Sequence, residues 1–219
     1  MLISGPAFYA VAVPAVLMVG LSKSGFGSGF GALGVPLMAL AVTVPQAVAV
    51  AVMPPLLLVM DAFGLKALWR LRDAALLRLL APAGLLGTVV EALLFKALSA
   101  ASVAASVGAI TLAFLLIRKL SPPSAEAVPL QRVPRFGLAM LSGFTSSVAH
   151  SGGPPMRFFM LPLKLSPRRY AATMAVYFAA INAAKWLPYA WLGLIDVTSM
   201  ATAAVQLPMA PLGCGWACA

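Results

Sequence analysis

The chain has 219 residues, 62% hydrophobic and 9% charged, with a mean hydropathy of +1.00; a soluble domain carries about 45–50% apolar and about 25% charged residues. That balance excludes a water-soluble enzyme, a nucleic-acid-binding module and a disordered segment, and it predicts an all-α, polytopic membrane protein with the bilayer as its solvent. At about 20 apolar residues per crossing, the length allows about 7–9 membrane segments and no separate soluble domain.

The net charge of +10 would recruit nucleic acid only if it were gathered on one water-exposed face. Instead, twelve of the fifteen basic residues fall in three short stretches: Lys66, Arg70, Arg72 and Arg78; Arg118, Lys119, Arg132 and Arg135; and Arg157, Lys164, Arg168 and Arg169. These read as positive-inside topology signals. The two cysteines, Cys214 and Cys218, have no His or Asp nearby, so neither a disulfide, a metal site nor a cofactor is expected. The N-terminus has no basic start and no small-residue cleavage site, and is read as part of the mature chain.

In chain order, apolar stretches run over 8–21, 31–44, 46–65, 74–95, 103–117, 136–148, 156–165, 170–192 and 198–212. Those near 20 residues span a hydrocarbon core of about 30 Å at about 1.5 Å per residue; the shorter ones reach about half to three-quarters of the way. The short pieces form two pairs, one broken at Ser22–Pro36 (SKSGFGSGFGALGVP) and the other at Thr145–Pro155 (TSSVAHSGGPP). Irregular backbone at membrane depth survives only inside protein or against a watery cavity, and paired interruptions in two halves of a chain point to a transporter binding site.

The halves correspond at an offset of about 122 residues, matching Gly20 with Gly143, Pro45 with Pro167, and the Pro82/Gly87 helix with Pro208/Gly213. Residues 1–97 are read as a first repeat, 98–134 as a connecting helix and cytoplasmic loop, and 135–219 as a second repeat. If the three basic stretches are cytoplasmic, the helix from Gln46 runs inward and its partner from Tyr170 runs outward, so the repeats are inverted. The two broken-helix hairpins then enter from opposite faces and meet near the midplane, the geometry of alternating access.

The hairpins are rich in glycine N–H groups and hydroxyls, with Lys23 and His150 as the nearest ionisable groups and no acidic residue of their own. Oriented N–H groups and positive helix ends favour an anion over a cation or metal. Candidate substrate-binding residues are Ser22, Lys23, Ser24, Gly25, Gly27, Ser146, Ser147, His150, Ser151, Gly152 and Gly153, joined by Asn182 on the helix that follows. Each has a plainer alternative. Lys23 either pairs with substrate charge or snorkels to the interface. His150 either binds the anion or couples protons, or else caps a backbone carbonyl. The glycines serve either the site or close helix packing. Asp61 is expected to pair with Lys66 or Arg70, Lys185 to snorkel, Glu91 to be solvated at the outer end of its helix, and Arg157 to be either a cytoplasmic anchor or an anion lure. The Phe, Trp and Met residues, including Trp186 and Trp191, are read as lipid-facing or interfacial.

The segments GLSKSGFGSGFGALGVPLMAL (Gly20–Leu40), GFTSSVAHSGGPP (Gly143–Pro155) and FAAINAAKWLPYAWLG (Phe178–Gly193) resemble the TauE/SafE family of sulfite exporters, and the likeness covers nearly the whole chain. The resemblance implies a multi-pass permease of the bacterial plasma (inner) membrane that exports sulfite, organosulfonates or related small anions. It places the two glycine-rich family segments on Ser22–Gly34 and Ser146–Pro155, and the polar helix position on Asn182 and Lys185. It departs after Pro208–Gly213: family members continue into a basic loop and a further apolar helix, whereas this sequence reads CGWACA, so the second repeat is expected to be one helix short.

No nucleophile–base pair, paired carboxylates or metal cluster supports an intramembrane enzyme, and a mere scaffold needs no polar midplane. A passive anion channel shares the basic groups and N–H dipoles of a carrier and stays open as an alternative, as does a truncated chain without transport. The expected partners are a small anionic substrate and the lipid bilayer, not nucleic acid; homo-oligomerisation is left open.

Overall fold

A computed structural model of the chain describes residues 6–21, 46–94, 105, 109, 112, 116, 132–150, 152–191, 193, 195 and 197–209. Every regular element among them is helical: α1 (Pro6–Leu21), α2 (Gln46–Leu68), α3 (Ala74–Leu94), α4 (Arg132–Ala149), α5 (Gly153–Met160), α6 (Pro167–Ala184), α7 (Trp186–Trp191) and α8 (Val197–Gln206). Short 3₁₀ turns follow α2 at Trp69–Leu71 and α5 at Leu161–Leu163. Within these helices, Val52–Leu71 and Ala74–Leu94, of 20 and 21 residues, are long and apolar enough to cross a membrane. The expected stretch 31–44 lies outside the described residues, and 103–117 is described only at Ala105, Ala109, Leu112 and Leu116, which are helical and exposed.

The surface and the interior divide as a bilayer solvent requires. On α3, Leu85, Leu86, Val89, Val90, Leu93 and Leu94 all face outward, whereas Thr88 and Glu91 are buried. The same inversion places Ser142, Thr145, Ser146, Ser147, Thr173, Asn182, Lys185, Thr202 and Gln206 inside. In water an apolar surface this extensive would be an aggregation liability; in lipid it is the solvated face.

Two cores hold the bundle. One joins α1 (Phe8, Ala12, Ala15, Val16, Val19) to α2 (Val52, Met53, Leu56, Leu57, Met60), with Tyr189 of α7 and Ala203 of α8. The other joins α3 (Leu77, Leu80, Ala83), α4 (Ala139), α5 (Met156, Phe159, Met160) and α6 (Met174, Tyr177, Ile181). Each core therefore takes helices from both halves of the sequence. Helices α2 and α6 pack on each other and run antiparallel, because Asp61 meets Asn182 while Gly64 meets Ala175. Helices α4 and α6 run parallel, through Ala139–Tyr177 and Ser146–Lys185. Helices α3 and α6 do too, through Asp73–Thr173 and Gly84–Ile181.

The closest approach is between α3 and α4. A Cβ added at Gly87 would strike the Met140 carbonyl and one at Gly143 the Gly84 carbonyl, so these helices touch backbone to backbone. Without water to drive apolar surfaces together, such small-residue contacts are how membrane helices associate.

At one end of the bundle, Asp73 precedes α3 and accepts from the Ala75 and Leu76 N–H groups, as an N-cap does. Its carboxylate also meets the Arg169 guanidinium at 2.9 Å, and its own N–H donates to Thr173 Oγ1. Two of the basic stretches, around residues 66–78 and 164–169, are thereby brought to the same end.

Two expected elements are redrawn. The segment Thr145–Ala149, read as part of a loop, continues α4 to Ala149. Its hydroxyls turn back on the helix, Thr145 Oγ1 to the Leu141 carbonyl and Ser147 Oγ to that of Gly143, so they do not break it. Conversely, the single stretch 170–192 is split at Lys185 into α6 and α7. Pro188 has no N–H to offer the Ala184 carbonyl, which interrupts the ladder there.

Candidate functional site

The α4–α5 hairpin is closed by three contacts. His150 takes φ of 53°, turning the chain out of α4, and its N–H still donates to the Ser146 carbonyl at 2.9 Å. Ser142 Oγ donates to the Gly152 carbonyl at 2.6 Å across the hairpin. At Gly152 a Cβ would meet the Ser142 carbonyl at 2.6 Å and the Ser146 Cβ at 2.7 Å, so glycine is required by the close approach. Pro154 and Pro155 then start α5, where their missing N–H groups cost no helical bond.

Lys185, which ends α6, reaches this hairpin. Its side chain is 1% exposed, and Nζ lies 2.7 Å from the Ser146 carbonyl, 2.8 Å from Ser146 Oγ, 3.0 Å from Asn182 Oδ1 and 3.2 Å from His150 Nδ1. An ammonium has three protons, so these four neighbouring groups share them, with His150 meeting the ammonium through Nδ1. Asn182, one turn before Lys185, passes the network on: its Nδ2 donates to Asp61 Oδ2 of α2 at 2.7 Å. Tyr189 of α7 donates its hydroxyl to the Ser147 carbonyl on the same hairpin. A chain of polar contacts thus runs Asp61–Asn182–Lys185–Ser146/His150, tying α2, α6 and the hairpin tip together.

Among the expected site residues, Ser146, His150 and Asn182 are brought together, with Lys185 at their centre. Ser147 is adjacent, but its hydroxyl is spent on Gly143 and only its carbonyl faces Tyr189. Gly152 and Gly153 are buried in the hairpin turn and serve its packing. Ser22, Lys23, Ser24, Gly25, Gly27 and Ser151 lie outside the described residues.

Four expectations are corrected. Lys185 does not snorkel: it is enclosed and hydrogen-bonded at the hairpin tip. Asp61, 5% exposed, turns to Asn182, while Lys66 and Arg70 are exposed at the end of their helix. Glu91 is not solvated but 0% exposed, because it continues the buried stripe of Gly84 and Gly87 at helical spacing. Since Asp61 belongs to the network, the site does contain an acidic group. The resemblance already implied a polar helix position at Asn182 and Lys185; their spacing, Asn182-x-x-Lys185, sets both on one helix face and is the residue-level signal for the same centre.

The electrostatics follow. Pro154 and Pro155 remove two of the first N–H donors of α5, which weakens that helix start as an anion cradle. Positive charge at the hairpin tip is therefore carried chiefly by the Lys185 ammonium, oriented by neutral acceptors and balanced through Asn182 by Asp61.

A helical bundle with an apolar exterior, spans of bilayer length and an enclosed ionic network at a hairpin tip is the build of a membrane transport protein. The family model described as Sulfite exporter TauE/SafE matches residues 12–217, and the chain belongs to that family. The family is one of integral membrane transporters, which makes the protein a membrane transport protein, in keeping with the membrane environment that its composition predicted. Comparison with curated proteins and with solved structures gives no match.

Proposed function

We propose that the protein is a secondary permease of the bacterial inner membrane that exports a small oxyanion, sulfite or an organosulfonate, by alternating access at the α4–α5 hairpin tip. The observation that carries the reading is Lys185: a cation enclosed at membrane depth is costly and is retained where a charge must be met. Its ligands are carbonyl, hydroxyl, imidazole and amide groups, each of which can give way to the oxygens of a sulfur oxyanion, while Asp61 stays behind Asn182 and out of the anion's way.

The inverted-repeat arrangement is supported by the packing. Helices at the expected offset, α2 and α6, lie antiparallel, and the α8–α2 contact mirrors the α3–α6 contact. One core joins α1 and α2 of the first half to α7 and α8 of the second, and the other joins α4, α5 and α6 of the second half to α3 of the first. On this reading the hairpin of Ser22–Pro36 faces the α4–α5 hairpin across the site.

The carrier reading, rather than a passive channel, is favoured by the closure around Lys185, which leaves 1% of its surface exposed. Sulfite and a short alkanesulfonate loaded into proteoliposomes should leave in a saturable manner, with trans-side anion stimulating exchange. Flux linear in concentration and without counterflow would favour the channel, and no flux of either anion would end the reading.

A further inference from the structure

We propose that the turn between α2 and α3, together with the start of α6, binds the phosphate headgroup of an anionic phospholipid, independently of what the protein transports. The depth of this turn is fixed by the two spans it joins. One ends at Leu71 and the next begins at Ala74, so Arg72 and Asp73 lie where hydrocarbon gives way to headgroups. The 3₁₀ turn Trp69–Leu71 packs on α6, and Asp73 is tied to the first two turns of that helix through Thr173 Oγ1 and the Arg169 guanidinium. These contacts bring Arg70 and Arg72 to the same end of the bundle as Arg168 and Arg169.

Four guanidinium groups thus gather around one carboxylate, since Asp73 is the sole acid in the stretches 66–78 and 157–169. Two of the four are oriented in advance. Arg72 Nη1 donates to the Trp69 carbonyl at 2.6 Å, and its guanidinium stacks 3.9 Å from the centre of the Trp69 ring. Arg169 Nη2 meets Asp73 Oδ2 at 2.9 Å while the side chain stays exposed. A guanidinium carries several N–H donors in a planar fork, so each of these arginines has donors beyond those bonds to offer a phosphate. Ordering them beforehand lowers the cost of binding. A topology signal requires only charge on one side of the membrane; it does not require guanidinium groups held by an indole and a carboxylate. The neighbours select a lipid over a soluble anion: Trp69 and Leu71 are exposed and belong to the span itself, where acyl chains run. The surplus positive charge repels the ammonium of a zwitterionic headgroup and attracts a phosphate without one. Bound lipid would hold the α2–α3 turn on α6 and so steady the two helices that carry Asp61 and Asn182.

The test uses the full chain in detergent micelles doped with phosphatidylglycerol, with phosphatidylcholine or soluble glycerol 3-phosphate in its place. Native mass spectra should show phosphatidylglycerol retained in preference to phosphatidylcholine, and the melting temperature should rise with phosphatidylglycerol alone. Arg72→Gln/Arg168→Gln should raise the apparent Kd for phosphatidylglycerol about thirtyfold, the effect of two charges at a membrane surface. This pair spares the Asp73–Arg169 contact that holds the turn in place. Arg72→Lys, which keeps the charge and loses the fork and the stacking, should also bind more weakly than the parent. A charge-matched pair in another basic stretch, Arg118→Gln/Lys119→Gln, should leave the affinity unchanged. Equal weakening by the two pairs would mean diffuse attraction and overturn the site. Equal retention of the two lipids, parental affinity in Arg72→Lys, or the same rise in melting temperature with glycerol 3-phosphate would overturn it as well.

Discussion

Asn182 Nδ2 donates to Asp61 Oδ2 at 2.7 Å, joining two residues that are 121 positions apart and stand on antiparallel helices. The separation is close to the offset of about 122 expected between the halves, so on the repeat reading proposed above the bond would link near-equivalent positions of the two. It also holds Asn182 with its carbonyl oxygen toward Lys185, at 3.0 Å. One amide thereby donates to a carboxylate on one side and accepts from an ammonium on the other.

Replacing Asn182 by leucine should therefore expose that dependence. It removes the hydrogen bond that Asn182 gives the buried Asp61 carboxylate and one Lys185 acceptor, at a cost of about 1.5–3 kcal/mol for hydrogen bonds to charged groups. Thermal unfolding in detergent should show the loss, and Asp61→Asn combined with Asn182→Leu should recover part of it. Equal stability of the parent and Asn182→Leu would show that the bond does not hold the centre together.

Lys185→Met removes the charge and keeps the length of the side chain. Sulfite efflux is expected to fall by at least about thirtyfold, corresponding to about 2 kcal/mol or more for losing the charge opposite a bound anion. His150→Gln, which keeps an acceptor near the ammonium, should cost less. Unchanged efflux in Lys185→Met would remove the lysine from the anion site.

The α3–α4 contact makes a sharp prediction among glycines. Gly87→Ala and Gly143→Ala place a methyl group into the partner's backbone and should lower stability by about 1–3 kcal/mol or abolish folding, as overpacking does. Gly137→Ala, on the same helix α4 with nothing within 4 Å of the added carbon, should be close to neutral or slightly stabilising. Folded yield and melting temperature of the three variants in one detergent decide the matter.

Asp73 has two roles at the start of α3, and their sizes differ. Asp73→Ala should cost about 1 kcal/mol through the lost N-cap. Arg169→Ala should cost about 0.5 kcal/mol or less, because the guanidinium is 55% exposed and screened by solvent. If the arginine variant is the less stable of the two, the ion pair outweighs the cap.

Much of this protein was readable from its residues alone. The lipid environment, the helical class, the limits of α1, α2 and α3, and the turn before Gly152 follow from apolar run lengths, proline and glycine, because in a bilayer each helix must satisfy its own backbone and so must be written locally. Motif likeness carried the family, and three of the expected site residues, Ser146, His150 and Asn182, meet in space. What local pattern could not decide was the direction in which charged side chains turn. Lys185 lies far enough along its stretch to reach the interface, and Asp61 lies one turn from Lys66; only the crossing of α2 and α6 and the proximity of the hairpin tip direct them inward. The burial of Glu91 likewise depends on the glycine contact between α3 and α4, which pulls that face of α3 against protein instead of lipid or water. Backbone geometry is set by neighbours in sequence, whereas the environment of an ionisable group is set by neighbours in space, and those are supplied only by the packed fold.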